Sequence, residues 1–323
     1  MNRLIERINY IKKLPQPEQK SKEWFELRHN MITASDIGTV IGVNPYETIF
    51  NFIQKKCGVI SVNFNNKFVH HGKKYENIAA LYYENLYNVK TDEYGLIQSD
   101  KYSFLGASPD RICSESTLDG NTSDMVGRMI EIKCPYKRAI KTSGEIYGVI
   151  CPQYYWCQVQ LQLEVCDLDE CDFFQCDIKE YNNYHEWLED LNNDVHYEEQ
   201  NIDKNVNPLI TRGCIIQLLP KSNHNIYEAK YIYPDTLNKT DDEYHNWIYE
   251  NIINLQNDKL SNLYYFDRVL YWRIKKSHKV TITRDKEWFI NNVNKMENVW
   301  KTVQYYRNNI NELNKINFKI VDN

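Results

Sequence analysis

The chain has 323 residues, of which 42% are hydrophobic and 26% charged, and its formal net charge is −5 at pH 7. This length allows a full α/β core with a sizeable insertion, and a mean hydropathy of −0.65 without a long apolar run excludes a membrane-spanning helix. The acidic balance argues against a protein that binds polyanions over its whole surface, although a single polyanion-binding site needs only a local basic lining.

The beginning of the chain and its cysteines bear on the cellular compartment. Charges interrupt the apolar positions of MNRLIERINYIKK, which predicts an amphipathic helix rather than a signal peptide. The nine cysteines lack the spacing of a disulfide framework and therefore indicate free thiols in a reducing, intracellular compartment. Cys166, Cys171 and Cys176 recur every five residues, but an iron–sulfur cluster is disfavoured because their segment reads as a turn and a strand.

In the first 180 residues, the pattern predicts helices, then strands, then a helix and a strand. Helices are expected for SKEWFELRHNMI, for TASDIGTVIGVNPY with Thr33 and Asp36 as a capping box, and for the glycine-led HGKKYENIAALYYENLYN. A β-meander follows through EYGLIQ, YSFLGASPDRIC and RMIEIKCP, with a slack loop at 114–127. A helix from Pro152 to Val165 and the strand CDFFQCDI complete this part.

The remaining chain divides into an insertion and a closing segment. Residues 181–262 are rich in asparagine, with helices expected at YHEWLEDL and EYHNWIYENIINL and a hairpin through CIIQLLP and YEAKYIYP. Residues 263–323 predict strands in DRVLYWRIKKSHKVTITR and a long helix in EWFINNVNKMENVWKTVQYYR. We therefore expect a leader helix at 1–21, a core at 22–180, and an α/β (α+β) fold with a central mixed sheet flanked by helices.

Three charged side chains are predicted to meet on the meander. Asp110 ends one expected strand, and Glu131 and Lys133 lie two apart on the next, so they share a face. Two carboxylates and the carbonyl of Ile132 form an oxygen set suited to Mg²⁺, for which Mn²⁺ substitutes. Lys133 would position or deprotonate an attacking water and offset transition-state charge, as phosphodiester hydrolysis requires. The alternative is a surface hairpin with an ordinary salt bridge.

These motifs make the family recognisable. SPD at 108–110 and EIKCP at 131–135 resemble the PD-(D/E)XK motif of the phage lambda exonuclease and YqaJ-type viral recombinase family. Three further motifs of the family occur in the family's order along the chain: WFELRHNMITASD at 24–36, GKKYE at 72–76 and QVQ at 158–160. The resemblance covers about residues 22–180 and resumes at YWRIKKSHKVTITRDKEWF, which implies a restriction-endonuclease-like core with an insertion before the last strands and helix.

The resemblance also implies roles for single residues of the catalytic cluster. Asp110 and Glu131 match the family's metal ligands, Lys133 its catalytic lysine, and Glu76 a further carboxylate carried on a helix. For Glu76, an exposed ion pair with Lys73 one turn earlier is the alternative.

A second set of matching residues implies a pocket for a terminal 5′ phosphate. Arg28, Ser35 and Gln158 match the positions that form it, and a guanidinium fork with neutral donors suits that ligand. A structural arginine with a helix-capping serine, and Gln160 in place of Gln158, remain alternatives.

Further DNA contacts are expected close to the cluster. Lys137, Arg138 and Lys141 follow the catalytic strand and are predicted to track the DNA backbone, the alternative being a solvated face. Tyr155 and Trp156 would stack on DNA in one interpretation, but a place in the core is the favoured one. The histidines, His70 and His71 included, show no spacing typical of a metal site.

The functional hypothesis is a 5′ to 3′ exonuclease on duplex DNA ends in viral or phage-type recombination and repair, with a single-strand annealing protein as a partner. The polarity rests only on the resemblance. A structure-specific endonuclease or repair nuclease, and a catalytically inactive DNA-binding scaffold, are the alternatives. No membrane association is expected, and the location would be the host cytoplasm or a viral factory. An oligomer is compatible with the sequence, but the insertion at 181–262 argues against the family's ring-shaped trimer.

Overall fold

The computed structural model describes residues 2–17, 21–60, 66–193 and 206–321. Its α-helices are α1 (Asn2–Lys13), α2 (Lys22–His29), α3 (Ile37–Ile41), α4 (Ile49–Lys56), α5 (Lys67–Tyr87), α6 (Gln153–Cys166), α7 (Tyr184–Asn193), α8 (Asp241–Asn257), α9 (Lys286–Asn308) and α10 (Ile310–Val321). Its strands are β1 (Ile32–Thr33), β2 (Thr91–Asp92), β3 (Ile97–Gln98), β4 (Leu105–Ala107), β5 (Arg111–Cys113), β6 (Met129–Lys133), β7 (Glu170–Tyr181), β8 (Arg212–Pro220), β9 (Lys230–Ile232) and β10 (Tyr264–Thr283). None of these helices is long and apolar enough to cross a membrane.

A mixed seven-stranded sheet forms the centre of the fold, in the order β2-β5-β6-β7-β10-β8-β9. β6 and β7 run parallel, whereas the other neighbours are antiparallel. The consecutive residues Phe173 and Phe174 of β7 point to opposite faces and belong to different hydrophobic clusters. One cluster contains residues of α3, α4, α6 and α9, and the other contains α5. The expected mixed sheet flanked by helices is confirmed.

The break between β4 and β5 differs from the prediction of one strand through YSFLGASPDRIC. β4 belongs to a small second sheet of order β1-β4-β3, whereas β5 pairs with β6 in the large one. Pro109 lies between them and has no N–H for a ladder, so the chain changes sheets there. Asp110 therefore precedes β5 instead of ending a strand.

The helix that carries Glu76 begins earlier than the sequence pattern predicts. The side chain of Asn66 accepts a hydrogen bond from the N–H of Phe68 at 2.8 Å and caps α5, so Gly72 lies inside the helix. The prediction of a glycine-led start was wrong by about one turn, because a cap outside the apolar pattern sets the boundary.

The closing segment contains one long strand where a pair of strands was expected. β10 contains no glycine or proline, and it pairs with β7 on one side and with β8 on the other. The register of β10 shifts once against each partner strand. The strand nevertheless continues through both shifts without the turn that a pair of strands would require.

The described residues of 181–262 extend the central sheet. The expected hairpin is present as β8 and β9, and the two expected helices are α7 and α8. Because β8 pairs with β10, this segment shares the sheet of the core. The domain boundaries at 180 and 262 stay a prediction.

The nine cysteines carry free thiols, and all except Cys57 are buried. Cys166 and Cys171 lie in the hydrophobic cluster on one face of the sheet and Cys176 in the cluster on the other. The side chains of this evenly spaced set are thus divided between the two faces.

Candidate active site

The site is centred on β6, where the alternation of the strand puts Glu131 and Lys133 on one face. The Nζ atom of Lys133 is hydrogen bonded to Glu131 Oε1. The same ammonium lies 4.5 Å from the centre of the Tyr155 ring, so a cation–π contact holds it from the other side. Glu131 is 1% exposed, which makes this a buried ion pair.

Asp110 reaches the middle of β6 from the neighbouring chain segment. Its Oδ2 atom accepts a hydrogen bond from the N–H of Ile132 at 2.8 Å. Since Ile132 stands between Glu131 and Lys133, this bond holds the Asp110 carboxylate beside both side chains. The structure thus brings together the three residues that the sequence singled out.

Glu76 on α5 completes the acidic cluster. Burial raises the pKa of Asp110 well above its ordinary range, and the charges of Glu131 and Glu76 raise it further. Burial likewise raises the pKa of Glu76, and Glu131 adds to this effect while Lys133 opposes it. These mutual effects mean that the three carboxyl groups lie close enough for their charges to repel one another.

The neighbours of Lys133 determine its protonation state. Burial alone would lower its pKa, but the charge of the Glu131 carboxylate and the hydrogen bond to it raise the pKa of Lys133 above the ordinary lysine value. The side chain is therefore an ammonium at neutral pH. In this arrangement it can orient a water molecule and offset negative charge, and it is poorly suited to accept a proton.

The oxygen atoms of the cluster match the ligands that Mg²⁺ prefers. Among the described ranges, no three acidic, histidine or cysteine side chains surround one point as metal ligands do. Glu131 is instead hydrogen bonded to Lys133 and to two glutamine amides. The repulsion that raises the pKa of Asp110 is nevertheless the effect that a divalent cation would relieve. The residues therefore fit such an ion electrostatically.

Two glutamines of α6 orient Glu131. Gln158 Nε2 donates to Glu131 Oε1 at 2.7 Å, and Gln162 Nε2 donates to Oε2 at 2.7 Å. Gln162 was missed in the sequence, although its spacing of four from Gln158 puts both on one helix face. Gln160 lies elsewhere: its amide donates to the Thr283 carbonyl at 2.9 Å.

The residues expected to bind a 5′ phosphate are only partly together. Arg28 Nη2 donates to Ser35 Oγ at 2.9 Å, and its guanidinium lies 4.5 Å from the Trp24 ring centre. Gln158 donates its hydrogen bond to Glu131 instead. The helix that carries Gln158, α6, packs against the 3-10 turn Ala34–Asp36. Ser35, to which Arg28 is bonded, therefore lies on a turn that packs against the helix carrying Gln158.

Lys137, Arg138 and Lys141 lie on the exposed loop that follows β6. Arg138 Nη2 donates to Gln175 Oε1 at 3.1 Å, which fixes the loop to β7. This basic, exposed stretch follows β6 directly, and such a position is compatible with contact to a DNA backbone.

The two aromatic residues next to Gln158 pack inward. Tyr155 lies 6.0 Å from Phe173 and Trp156 lies 5.6 Å from Trp288, as measured between ring centres. Both are half-buried against the core, which agrees with the favoured interpretation.

Comparison with known proteins finds a family match in the N-terminal part of the chain. Residues 23–169 match the model of the YqaJ-like viral recombinase domain. An uncharacterised protein of Acanthamoeba polyphaga mimivirus is 41% identical over 317 residues, which are 96% of this chain and 57% of that protein. A protein of African swine fever virus (isolate Tick/South Africa/Pretoriuskop Pr4/1996) is 26% identical over 209 residues, 57% of each chain. The chain thus spans 57% of the length of these two relatives.

Two solved structures resemble the chain more distantly. An alkaline exonuclease from Laribacter hongkongensis has a TM-score of 0.45 at 14% identity, covering 94% of this chain and 99% of its own. A phage-related exonuclease from Haemophilus somnus has a TM-score of 0.43 at 12% identity, covering 89% and 98%. The family match at residues 23–169 spans Glu76, Asp110, Glu131 and Lys133, so these four residues lie in the part of the chain that is similar to a YqaJ-like viral recombinase domain.

Proposed function

We propose that the chain is a metal-dependent deoxyribonuclease that degrades duplex DNA from its ends, in the 5′ to 3′ direction, during viral recombination and repair. The observation that carries the proposal is the hydrogen bond from Ile132 N–H to Asp110 Oδ2, because it holds two carboxylates and an ammonium at one point. The match of residues 23–169 to the model of a viral recombinase domain supports DNA as the substrate.

Asp110, Glu131 and Glu76, with the carbonyl of Ile132, are the groups that would hold Mg²⁺, and Mn²⁺ would substitute for it. When bound, the ion supplies positive charge to the phosphate oxygens and makes a water molecule more acidic. Lys133, held between Glu131 and Tyr155, orients the attacking water and offsets the charge that develops on the phosphorus group. Gln158 and Gln162 keep the Glu131 carboxylate in one orientation.

Arg28 supports the proposed polarity. Its guanidinium is fixed by the Trp24 ring and by Ser35, so its remaining N–H groups are preorganised for an anion. A 5′ phosphate held by Arg28 would direct the adjoining phosphodiester toward Glu131, because α6 packs against the turn that carries Ser35 and also contacts Glu131. Hydrolysis from that end leaves a 3′-ended single strand, which is the substrate that an annealing protein requires.

The test is digestion of linear duplex DNA labelled separately at its 5′ and 3′ ends, beside a covalently closed circle, with Mg²⁺ or with EDTA. Metal-dependent release of 5′ label from linear DNA alone, lost in Lys133→Ala and kept in Lys90→Ala, is the expected result. Lys90 is an exposed lysine outside the cluster and serves as the matched control. Cutting of the circle would favour an endonuclease, and absence of any cutting would favour a DNA-binding scaffold.

A further inference from the structure

A cleft of about 740 Å³ opens beside Glu76. Residues of α5 form one wall, and the 3-10 turn Ile226–Glu228 with β9 forms the opposite wall. The second wall belongs to the segment 181–262, which lies outside the matched domain. The cleft therefore joins this segment to the candidate catalytic cluster.

The opposite wall is fixed to α5 by two tyrosine hydroxyl groups. Tyr233 Oη donates to the Lys74 carbonyl at 2.9 Å, and Tyr231 Oη is 2.9 Å from His70 Nε2. The ring of Tyr227 meets that of His70 edge to face, with centres 5.5 Å apart. These contacts define the width of the cleft before any ligand enters, which lowers the entropy cost of binding.

The lining of the cleft includes basic and aromatic side chains. Lys73 and Lys230 are exposed on opposite walls, and Tyr227 presents part of its ring to solvent. Ammonium groups attract phosphates and aromatic faces stack on unpaired bases, so this combination is typical of single-strand binding. Of the acidic lining residues, Glu76 lies on α5, whereas Glu93 follows β2 and is paired with Arg111 of β5.

The size of the cleft favours unpaired nucleotides over duplex DNA as the ligand. Sites for single small molecules occupy roughly 300–1,000 Å³, so a cleft of about 740 Å³ accommodates one or two unpaired nucleotides. A duplex is far too wide to enter between α5 and β9.

We propose that this cleft binds a short single-stranded stretch of DNA next to the bond that is cut, and that the segment 181–262 supplies its outer wall. The inference rests on the proposed function for the choice of DNA as the ligand. It assigns to β9 and its flanking turn a role in holding the unpaired strand against α5.

The experiment measures binding of a fluorescent oligothymidylate by anisotropy, in EDTA and in the Lys133→Ala background, so that no cutting takes place. Lys73→Glu combined with Lys230→Glu is expected to raise the Kd about tenfold or more, with a shallower salt dependence. Tyr227→Ala is expected to raise it about fivefold or more through lost stacking. The matched controls are Lys259→Glu combined with Lys301→Glu, and Tyr249→Ala, which change exposed residues outside the lining.

Each outcome bears on the cleft separately from the nuclease activity. Weakened binding in the cleft variants alone, at unchanged melting temperature, supports the inference even if the parent protein cuts no DNA. Equal weakening in the control pair would mean a general effect of charge and would overturn it. Binding that is unchanged in both cleft variants overturns it as well, even if exonuclease activity is found.

Discussion

Gln162 donates its side-chain amide to Glu131 Oε2 at 2.7 Å, and both residues are almost completely buried. Together with Gln158 on Oε1, it fixes both oxygens of the carboxylate from a single helix. Groups that orient a ligand carboxylate affect metal affinity and activity without touching the metal. We therefore regard Gln162 as a positioning residue.

Gln162→Leu is expected to lower nuclease activity about 10- to 100-fold, since a misoriented Glu131 binds metal less well. Higher Mg²⁺ concentration should restore part of the loss, which a purely structural defect would not allow. The measurement is the digestion rate as a function of Mg²⁺ concentration. Gln153→Leu, at an exposed position of the same helix, is the control and should behave as the unmodified protein; a metal-independent loss would contradict the positioning role.

The ionised side chain of Asp110 is expected to lower the free energy of unfolding of the protein. Burial, together with Glu131 and Glu76, raises its pKa, so the folded state binds a proton more readily than the unfolded state does. Its ionised form at neutral pH is therefore destabilising, and stability from this group falls as pH rises from its ordinary pKa range through the raised one. Asp110→Asn removes this charge and can still accept the hydrogen bond from Ile132.

Asp110→Asn should abolish cutting and yet raise the Tm at pH 8 by about 2–4 °C in the absence of metal. Addition of Mg²⁺ should raise the Tm of the unmodified protein and leave that of the variant unchanged. Thermal unfolding with and without Mg²⁺ provides both numbers. A variant that melts lower and still responds to Mg²⁺ would remove Asp110 from the metal site.

Much of the site could be predicted because its residues follow simple periodicities. The spacing of two between Glu131 and Lys133 needs only a strand, and the mixed sheet followed from the order of elements. Gln162 could have been found from its spacing to Gln158, but glutamine carries no signal of its own in a buried helix. The assignment of catalytic roles stays a prediction.

Other features depend on contacts that are distant in sequence. The start of α5 is set by the cap of Asn66, which lies outside the apolar pattern. β10 continues as one strand because it pairs with β7 on one side and with β8 on the other. Its sequence contains no turn signal that would divide it into two strands. The wall of the cleft arises because Tyr231 and Tyr233 bond to α5, a tertiary contact that a pattern of single residues does not indicate.

Arg28→Ala is expected to remove most of the activity on 5′-phosphorylated ends and to leave the slower activity on 5′-hydroxyl ends almost unchanged. Loss of a charge-assisted, bidentate contact accounts for the difference. The measurement compares initial rates on the two kinds of end. Arg268→Ala, at an exposed position on β10, is the control, and an equal loss on both ends in Arg28→Ala would contradict the 5′-phosphate pocket.

His71 makes stability depend on pH in a defined direction. Its ring lies between those of Tyr75 and Tyr136, and its Nε2 atom is buried without a hydrogen-bond partner in the described structure. Burial, with help from Lys74, lowers its pKa to about 4, whereas the unfolded value is about 6.5. The folded state therefore requires the neutral ring. The stability that this provides is complete above pH 6.5 and is lost as pH falls toward 4.

His71→Phe should accordingly resist acid better than the unmodified protein. At pH 7.5 the two should differ little, because phenylalanine fills the same apolar position and leaves no buried nitrogen unpaired. By pH 4.5 the free energy of unfolding of the unmodified protein should fall below that of the variant by on the order of 2–3 kcal/mol. Denaturant titrations across this range measure the difference, with His185→Phe on the exposed face of α7 as the control; parallel losses in both proteins would show that His71 does not titrate in this window.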